Sequence, residues 1–212
     1  MYYNYKRYTK ALELFNKFDT IFPENYLFPF YIGTVYSIMD SNLKAIEPLN
    51  RALDLDEKNV MVIGQLGLVY NNLKDFVKSD SMYELALEVN PVDALINNNY
   101  AYSLSERGIK LDEALRMTEL ALASDSSNSS YLDTYGWIAY KLGDTDKALD
   151  FINKAIKTGK ASAEVYEHLG DIQLKLGNKS YAIDAYQKSL ELDLELNGTA
   201  IERLKMKLED IK

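Results

Sequence analysis

Small residues recur along this chain at an almost constant spacing of about 34 residues. The first series is Gly33, Gly67, Ala101, Gly136 and Gly170, in which the step from Ala101 to Gly136 is longer than the others by one. Two further series keep the same period, namely Ala45, Ser79, Ala114, Ala148 and Ala182, and Ala52, Ala86, Ala121, Ala155 and Ser189. Three series with one shared period predict an array of repeated units, each of which buries its apolar face against its neighbours.

Each unit has the pattern of two helices joined by a turn. Turn signals separate the paired helices, among them Asp40-Ser41-Asn42, Gly143-Asp144 and Gly177-Asn178. Small residues at the crossing points let paired helices approach closely, because a missing side chain opens the groove that a neighbouring ridge fills. The step from Ala101 to Ala114 is longer by one than the corresponding step in the other units, so the extra residue falls in the turn at Gly108–Leu111.

These spacings resemble those of the tetratricopeptide repeat. The clearest unit carries matching residues at eight signature positions: Ile63, Leu66, Gly67, Tyr70, Ser79, Tyr83, Ala86 and Pro91. Ser79 stands where alanine is usual. A second unit matches at Leu132, Tyr135, Gly136, Ala148, Ile152 and Ala155, but has Lys160 where proline is usual. The stretch from Asn98 to Ala155 is similar to a variant pair common in bacterial members of the family.

The resemblance implies an all-α fold, an α-α superhelix of antiparallel helical hairpins. We expect five repeats within 26–196, with boundaries at 26–59, 60–93, 94–128, 129–162 and 163–196. Residues 1–25 align with the second helix of a repeat and predict a half repeat, which suggests a truncated array. Residues 197–212 predict an amphipathic capping helix, because Ala200, Leu204, Leu208 and Ile211 fall at helical spacing among charged residues.

Composition narrows the classes of partner. The formal net charge of −8 argues against nucleic acid, which requires a surplus of Lys and Arg on one face. No apolar run is long enough to span a membrane. The chain has no Cys, so a thiolate metal site is excluded. The resemblance to bacterial arrays favours the periplasm or cell envelope over the cytoplasm, although the sequence does not fix the compartment.

The family resemblance places the first helix of each repeat on the concave wall of the superhelix. The residues at those positions that we expect to bind a peptide are Asn71, Asn98, Tyr102, Asp133, Trp137, Tyr140, Glu167 and Asp171. Asn side chains can pair with a peptide backbone, and aromatic rings offer stiff contact area. The three acidic residues would favour Lys or Arg on the ligand. The alternative for Trp137 and Tyr140 is that they pack between adjacent helices.

The sequence gives little support to an enzyme. His168 is the only histidine, and with no Cys it would be the single centre available to a Ser-His arrangement. It lies beside Glu167 and Asp171, which is also the pattern of a solvated helix surface. We therefore predict no catalytic residues, no metal site and no cofactor.

Two functions remain. The first is a scaffold that binds a protein or peptide segment in the concave groove. The second is a structural assembly element that stacks or dimerises through residues 1–25, where Leu12 and Phe15 lack a preceding helix to cover them.

Overall fold

A computed structural model describes the backbone of residues 2–192 and 198–211, and the side chains of 7–192 and 200–211. Over these residues the chain forms twelve α-helices and no β-strand, which confirms the all-α prediction. Two compact units are present, Met1–Ile96 and Asn97–Lys212.

Unit 1 (Met1–Ile96) is built from antiparallel neighbours that follow one another in sequence. Its helices are α1 (Tyr2–Ile21), α2 (Leu27–Ile38), α3 (Asn42–Leu55), α4 (Val60–Asn72) and α5 (Phe76–Val89). Its core lies between α3 and α4, where Ala45, Leu49, Leu66 and Val69 are buried together. At the amino-terminal end, Phe15 stacks on Tyr31 with ring centroids 5.2 Å apart, so α1 packs on α2 through aromatic rings.

Unit 2 (Asn97–Lys212) repeats the same arrangement. Its helices are α6 (Ala94–Arg107, which begins at the end of unit 1), α7 (Leu111–Ser124), α8 (Ser129–Leu142), α9 (Thr145–Lys157), α10 (Ala163–Lys175), α11 (Lys179–Leu192) and α12 (Gly198–Asp210). One buried cluster joins α8, α9 and α10, and a second joins α11 to Leu204 and Ile211. The predicted break before the last helix involves Asn197, which lies outside the described residues.

The periodic small residues lie where paired helices touch. A Cβ atom added to Gly170 would come within 2.3 Å of Cε1 of Tyr186, and one added to Gly67 within 2.8 Å of Cε1 of Tyr83. In both pairs the tyrosine lies on the following helix, at the same separation in sequence from its glycine. In the repeat that is longer by one residue, Ala101 stands at the glycine position and Thr118 at the tyrosine position. The methyl group of Ala101 is accommodated because threonine is smaller than tyrosine, and both residues are fully buried.

The turns within the helix pairs follow the same repeat. In four of the pairs, the first helix is followed by one residue with a positive φ angle. These residues are Asp40, Lys74, Gly143 and Gly177. The turn from α6 to α7 has two, Gly108 and Lys110, so the extra residue lies where the spacing predicted it. Ser79 keeps the usual close contact despite its hydroxyl, because Oγ donates a 2.9 Å hydrogen bond to the Gly67 carbonyl.

Candidate functional site

The first helices of the pairs in unit 2, α6, α8 and α10, bring seven of the eight predicted site residues into one unit. Asn98 and Tyr102 lie on α6, Asp133, Trp137 and Tyr140 on α8, and Glu167 and Asp171 on α10. Asn71 lies on α4 in unit 1, where it is half-buried. We call the residues of α6, α8 and α10 that carry these side chains the A-helix face of unit 2.

A buried acid–histidine pair lies in the middle of this face. Asp133 Oδ1 and His168 Nδ1 are 2.8 Å apart, and both residues are about 5% exposed. Burial acts to lower the pKa of His168, but the Asp133 carboxylate opposes it and the net shift is upward, with smaller support from Glu164 and Glu106. The interpretation of His168 as part of a solvated helix surface is therefore wrong, because spacing along α10 does not reveal what the neighbouring helix covers.

Trp137 packs against this pair. Its ring stacks on His168 at a centroid distance of 4.1 Å and on Tyr140 at 5.0 Å, and its Nε1 donates a 2.7 Å hydrogen bond to Glu106. Only 7% of Trp137 is exposed. These contacts favour the interpretation that Trp137 packs between helices, whereas Tyr140 keeps an exposed part.

The two acids on α10 are held by cations of the same chain. Arg203 donates to both oxygens of Glu167 at 2.9 and 2.8 Å, and Lys207 Nζ lies 2.7 Å from Asp171 Oδ1. Burial acts to raise the pKa of Glu167, but hydrogen bonds from Arg203 and Lys207 lower it overall. Tyr186 also donates to Asp171 at 2.6 Å. The expectation that these two carboxylates attract a basic ligand therefore needs correction, since α12 already neutralises them.

A cleft of about 210 Å³ opens between the starts of α8 and α10 and the middle of α6. Its lining includes Asn98, Tyr102, Ser130, Asp133 and Glu164. The Tyr102 hydroxyl donates to the Glu164 carboxylate. Solvent reaches Glu164, but protein atoms crowd its carboxyl group inside the concave cleft, and this loss of solvation raises its pKa, while His168 and Tyr102 act in the opposite direction.

Asn98 differs from the other residues of this lining. It is 6% exposed, and among the described residues its side-chain Oδ1 finds no hydrogen-bond donor. Its Nδ2 donates to Asn99 Oδ1 at 3.4 Å. A buried acceptor without a donor is uncommon in folded proteins, because its lost hydration is not replaced.

Sequence reasoning missed Glu106, Glu164, Arg203 and Lys207. A signal was present for the cations, because Arg203 follows Glu167 by close to one repeat, as His168 follows Asp133. Glu164 lies at the beginning of a helix, outside the signature positions, and nothing in its spacing pointed to the cleft.

Two absences hold over the described part of the chain. No group of three or more His, Asp or Glu side chains lies in an arrangement that could hold a metal ion. None of the helices in 2–192 and 198–211 combines the length and apolar character needed to cross a membrane.

Comparison with solved structures identifies the same architecture elsewhere. A tetratricopeptide repeat protein from Parabacteroides merdae superposes with a TM-score of 0.78 at 18% identity, over 98% of this chain and 79% of that one. The type IV pilus biogenesis factor PilW superposes with a TM-score of 0.74 at 20% identity, over 88% of this chain and 85% of that one. At this identity the likeness shows the fold.

Sequence comparison adds the family. The BBSome complex member BBS4 of Bos taurus is 24% identical over 146 residues, and the match covers 67% of this chain but only 28% of that protein. The family model of the tetratricopeptide repeat matches residues 62–93, 129–158 and 163–195. Proteins built from this repeat are generally non-catalytic scaffolds for protein–protein interaction. The pattern of small residues, the paired helices and these three matched segments show that the chain carries tetratricopeptide repeats.

Proposed function

We propose that the chain is a protein-interaction module that binds an extended or helical peptide segment along the A-helix face of unit 2. The observation that carries this proposal is the cleft beside α6, α8 and α10, which is lined by a buried and unsatisfied amide oxygen at Asn98. A peptide offers donors for such a group, and its binding would recover the lost hydrogen bond.

The residues proposed to form the binding surface fall into two groups. Asn98, Tyr102 and Tyr140 are the candidates for direct contact, since Asn98 and Tyr102 line the cleft and Tyr140 is partly exposed. Asp133, Trp137, Glu167 and Asp171 hold the surface in shape through their partners on neighbouring helices. Asn71 remains a predicted contact on unit 1.

The experiment is selection from a phage-displayed library of random linear peptides, followed by affinity measurement on variants. Ser130→Arg places a long side chain in the cleft without disturbing buried atoms, because Ser130 is exposed in the first turn of α8. The matched control is Ser180→Arg, which has the same residue type at the second position of α11 and is equally exposed.

We expect Ser130→Arg to weaken the selected peptides by about tenfold or more and Ser180→Arg to leave them unchanged. Failure to select any peptide, or equal affinities for the two variants, would reject the proposal. Trp137→Ala is a poorer test, because it also removes the stack on His168.

A second candidate function is self-association through residues 1–25. The observation that favours it is an exposed apolar group on α1 and the following turn, where Leu14, Ile21 and Phe22 are each about half exposed. Phe22 also stacks with Phe18 and Phe28 at centroid distances of 6.5 and 6.0 Å, which leaves one aromatic surface in solvent.

Light scattering after size exclusion, over a concentration series, tests this candidate. Phe22→Ser should shift a concentration-dependent oligomer to monomer, while Val77→Ser, which alters an exposed valine in the first turn of α5, should not. Phe15 is a less suitable target, because it is half-buried against Tyr31 and a charge there would disturb the packing of α1. A monomer at every concentration would exclude self-association as the function.

A further inference from the structure

One position of the repeat carries a buried polar side chain in three successive units. Asn98, Asp133 and Glu167 occupy it, each one repeat after the last, and all three are buried. In two of the three cases the partner is supplied by the next helix of the A-helix face or by α12. Asp133 has His168, and Glu167 has Arg203.

Asn98 has no such partner. The steps that lead from Asp133 to His168 and from Glu167 to Arg203 lead from Asn98 to Asp133 and to Thr134. A carboxylate such as that of Asp133 accepts hydrogen bonds and has no hydrogen to donate. The Thr134 hydroxyl donates instead to the Ser130 carbonyl of its own helix, at 2.9 Å. Within the described residues, Asn98 Oδ1 is thus a fully buried oxygen without a donor, whereas the Asp133 and Glu167 side chains each have a partner.

The surroundings of this oxygen favour positive charge. The carboxylates of Asp133 and Glu164 line the same cleft, and Glu106 acts on both His168 and Glu164 from α6. His168 offsets part of this charge from its buried place behind Asp133. Lys160 also lines the cleft, but its side chain is exposed. The pKa of Asp125 is lowered chiefly by hydrogen bonds from Ser127, and the charge of Lys160 adds a smaller contribution in the same direction.

We propose that this cleft binds the guanidinium group of an arginine side chain, which donates hydrogen bonds to Asn98 Oδ1 and to the Glu164 carboxylate. The inference rests on the proposed peptide-binding function and names the side chain that the surface selects. Arginine fits better than lysine, because a guanidinium donates five N–H groups in a planar fork and can serve a neutral acceptor and a carboxylate together.

The probe is Nα-acetyl-arginine methylamide. Its binding is measured by NMR from the chemical-shift changes of the protein's backbone amides. The matched probe is the citrulline derivative, which has nearly the same shape but no charge. We expect the arginine probe to shift amides near Asn98, Ser130 and Glu164, and the citrulline probe to bind at least about tenfold more weakly. The lysine derivative should fall between the two.

Two conservative variants test whether the Glu164 carboxylate binds the arginine probe. Glu164→Gln keeps the shape of a solvent-exposed side chain and should weaken the arginine probe about tenfold. Glu119→Gln removes the carboxylate of an exposed residue on α7 and should leave binding unchanged. Equal binding of the arginine and citrulline probes, shifts confined to other surfaces, or equal effects of the two variants would overturn the inference.

The same probes separate this inference from the broader proposal. Selected peptides that lose affinity on Ser130→Arg but keep it when their arginine is replaced by citrulline would overturn the arginine pocket and leave peptide binding intact. Specific capture of the arginine probe by wild type and not by Glu164→Gln, without any selected peptide, would support the pocket while the peptide-binding function fails.

Discussion

The two units use the same helix pairing but bury different kinds of side chain. In the described residues of unit 1, the buried polar side chains are Asn42 and Ser79. Some of the buried polar side chains of unit 2 contact a neighbouring helix, as Asp133 contacts His168. The buried polar residues described in unit 2 are Asn97, Asn98, Ser103, Ser105, Thr118, Asp133, Thr134, Glu167, His168 and Ser189. Unit 1 instead leaves apolar rings and aliphatic side chains in solvent at its first helix.

The difference separates what the repeat needs from what it permits. Close contacts such as Gly67 with Tyr83 and Gly170 with Tyr186 occur in both units, so they belong to the pairing of helices. An acid–arginine pair also occurs in unit 1, between Asp19 and Arg51. On the A-helix face of unit 2, the pairs of Asp133 with His168 and of Glu167 with Arg203 join different helix pairs rather than the two helices of one pair. Burying charge carries a desolvation cost, so we propose that these two pairs of unit 2 serve the shape and charge of a binding surface.

The largest effect should come from breaking the network of unit 2. His168→Ala leaves Asp133 buried without a partner and removes the stacking surface of Trp137, so we expect a loss of about 3–5 kcal/mol in the free energy of unfolding. Urea denaturation followed by fluorescence measures it, since Trp137 is the only tryptophan and reports on unit 2. Lys188→Gln, which breaks an exposed pair with Glu191, is the control and should cost less than about 0.5 kcal/mol. Similar losses in the two variants would show that burial of the pair carries no special weight.

The next effect tests the part that the units share. Gly170→Ala and Gly67→Ala each force a methyl group against a tyrosine ring, at 2.3 and 2.8 Å before relaxation. We expect each to destabilise by about 1–3 kcal/mol, which exceeds the gain of up to about 1 kcal/mol from helix propensity. Gly170→Ala should be the more damaging of the two. Thermal unfolding followed by circular dichroism checks the order, and a stabilised Gly170→Ala protein would contradict the packing role of this residue.

A smaller effect is a pH dependence confined to unit 2. The pKa of His168 is raised in the folded protein, so its contribution to stability is fully present below the pKa of about 6.5 of an unfolded histidine and is lost as pH rises through the folded value. Burial acts to lower this pKa, and the carboxylates that outweigh it are Asp133 on α8, Glu164 on α10 and Glu106 on α6. Because the chain has one histidine, NMR titration of its ring assigns the pKa without ambiguity.

Denaturation at a series of pH values gives the corresponding control. The decline in stability above neutral pH should be smaller in His168→Gln, because glutamine has no side-chain proton to lose. Any decline that remains belongs to other groups, such as Glu164, whose pKa is raised by burial. An imidazole pKa at or below about 6.5 in the folded protein would remove the basis of this prediction.

The smallest effect concerns unit 1. Ser79→Ala restores the residue that is usual at this position in the family and removes the 2.9 Å hydrogen bond to the Gly67 carbonyl. We expect a loss of about 0.5–1 kcal/mol, since the methyl group fills most of the same space. Circular dichroism during urea denaturation measures the change. A loss as large as that of His168→Ala would erase the difference drawn between the two units.

The spacing of small residues along the sequence predicted most of the fold. The period of the small residues located the paired helices, and its single longer step located the turn with two left-handed residues at Gly108 and Lys110. These features follow from local sterics and close packing, which leave a mark at each repeat. The contact between Ser79 and Gly67 left no such mark, because it depends on the rotamer of one hydroxyl.

The sequence predicted which helices carry the candidate residues, but not the partners of their side chains. Seven of the proposed residues lie on three helices of unit 2, but the state of each charge depends on residues about one repeat away. Glu167 and Asp171 look free along α10 and are held by Arg203 and Lys207 of α12. A single sequence gives no direct sign of such partners, since the pairing is decided by how neighbouring helices pack.

The position shared by Asn98, Asp133 and Glu167 has a consequence for how such arrays diversify. It is separate from the small residues that fix helix pairing, so substitutions there leave the contacts between paired helices unchanged. Three successive copies now hold an amide, a titratable ion pair and a permanent ion pair. Duplication of a repeat followed by change at this one position can therefore give neighbouring copies different responses to acidity and charge, while the scaffold that carries them remains the same.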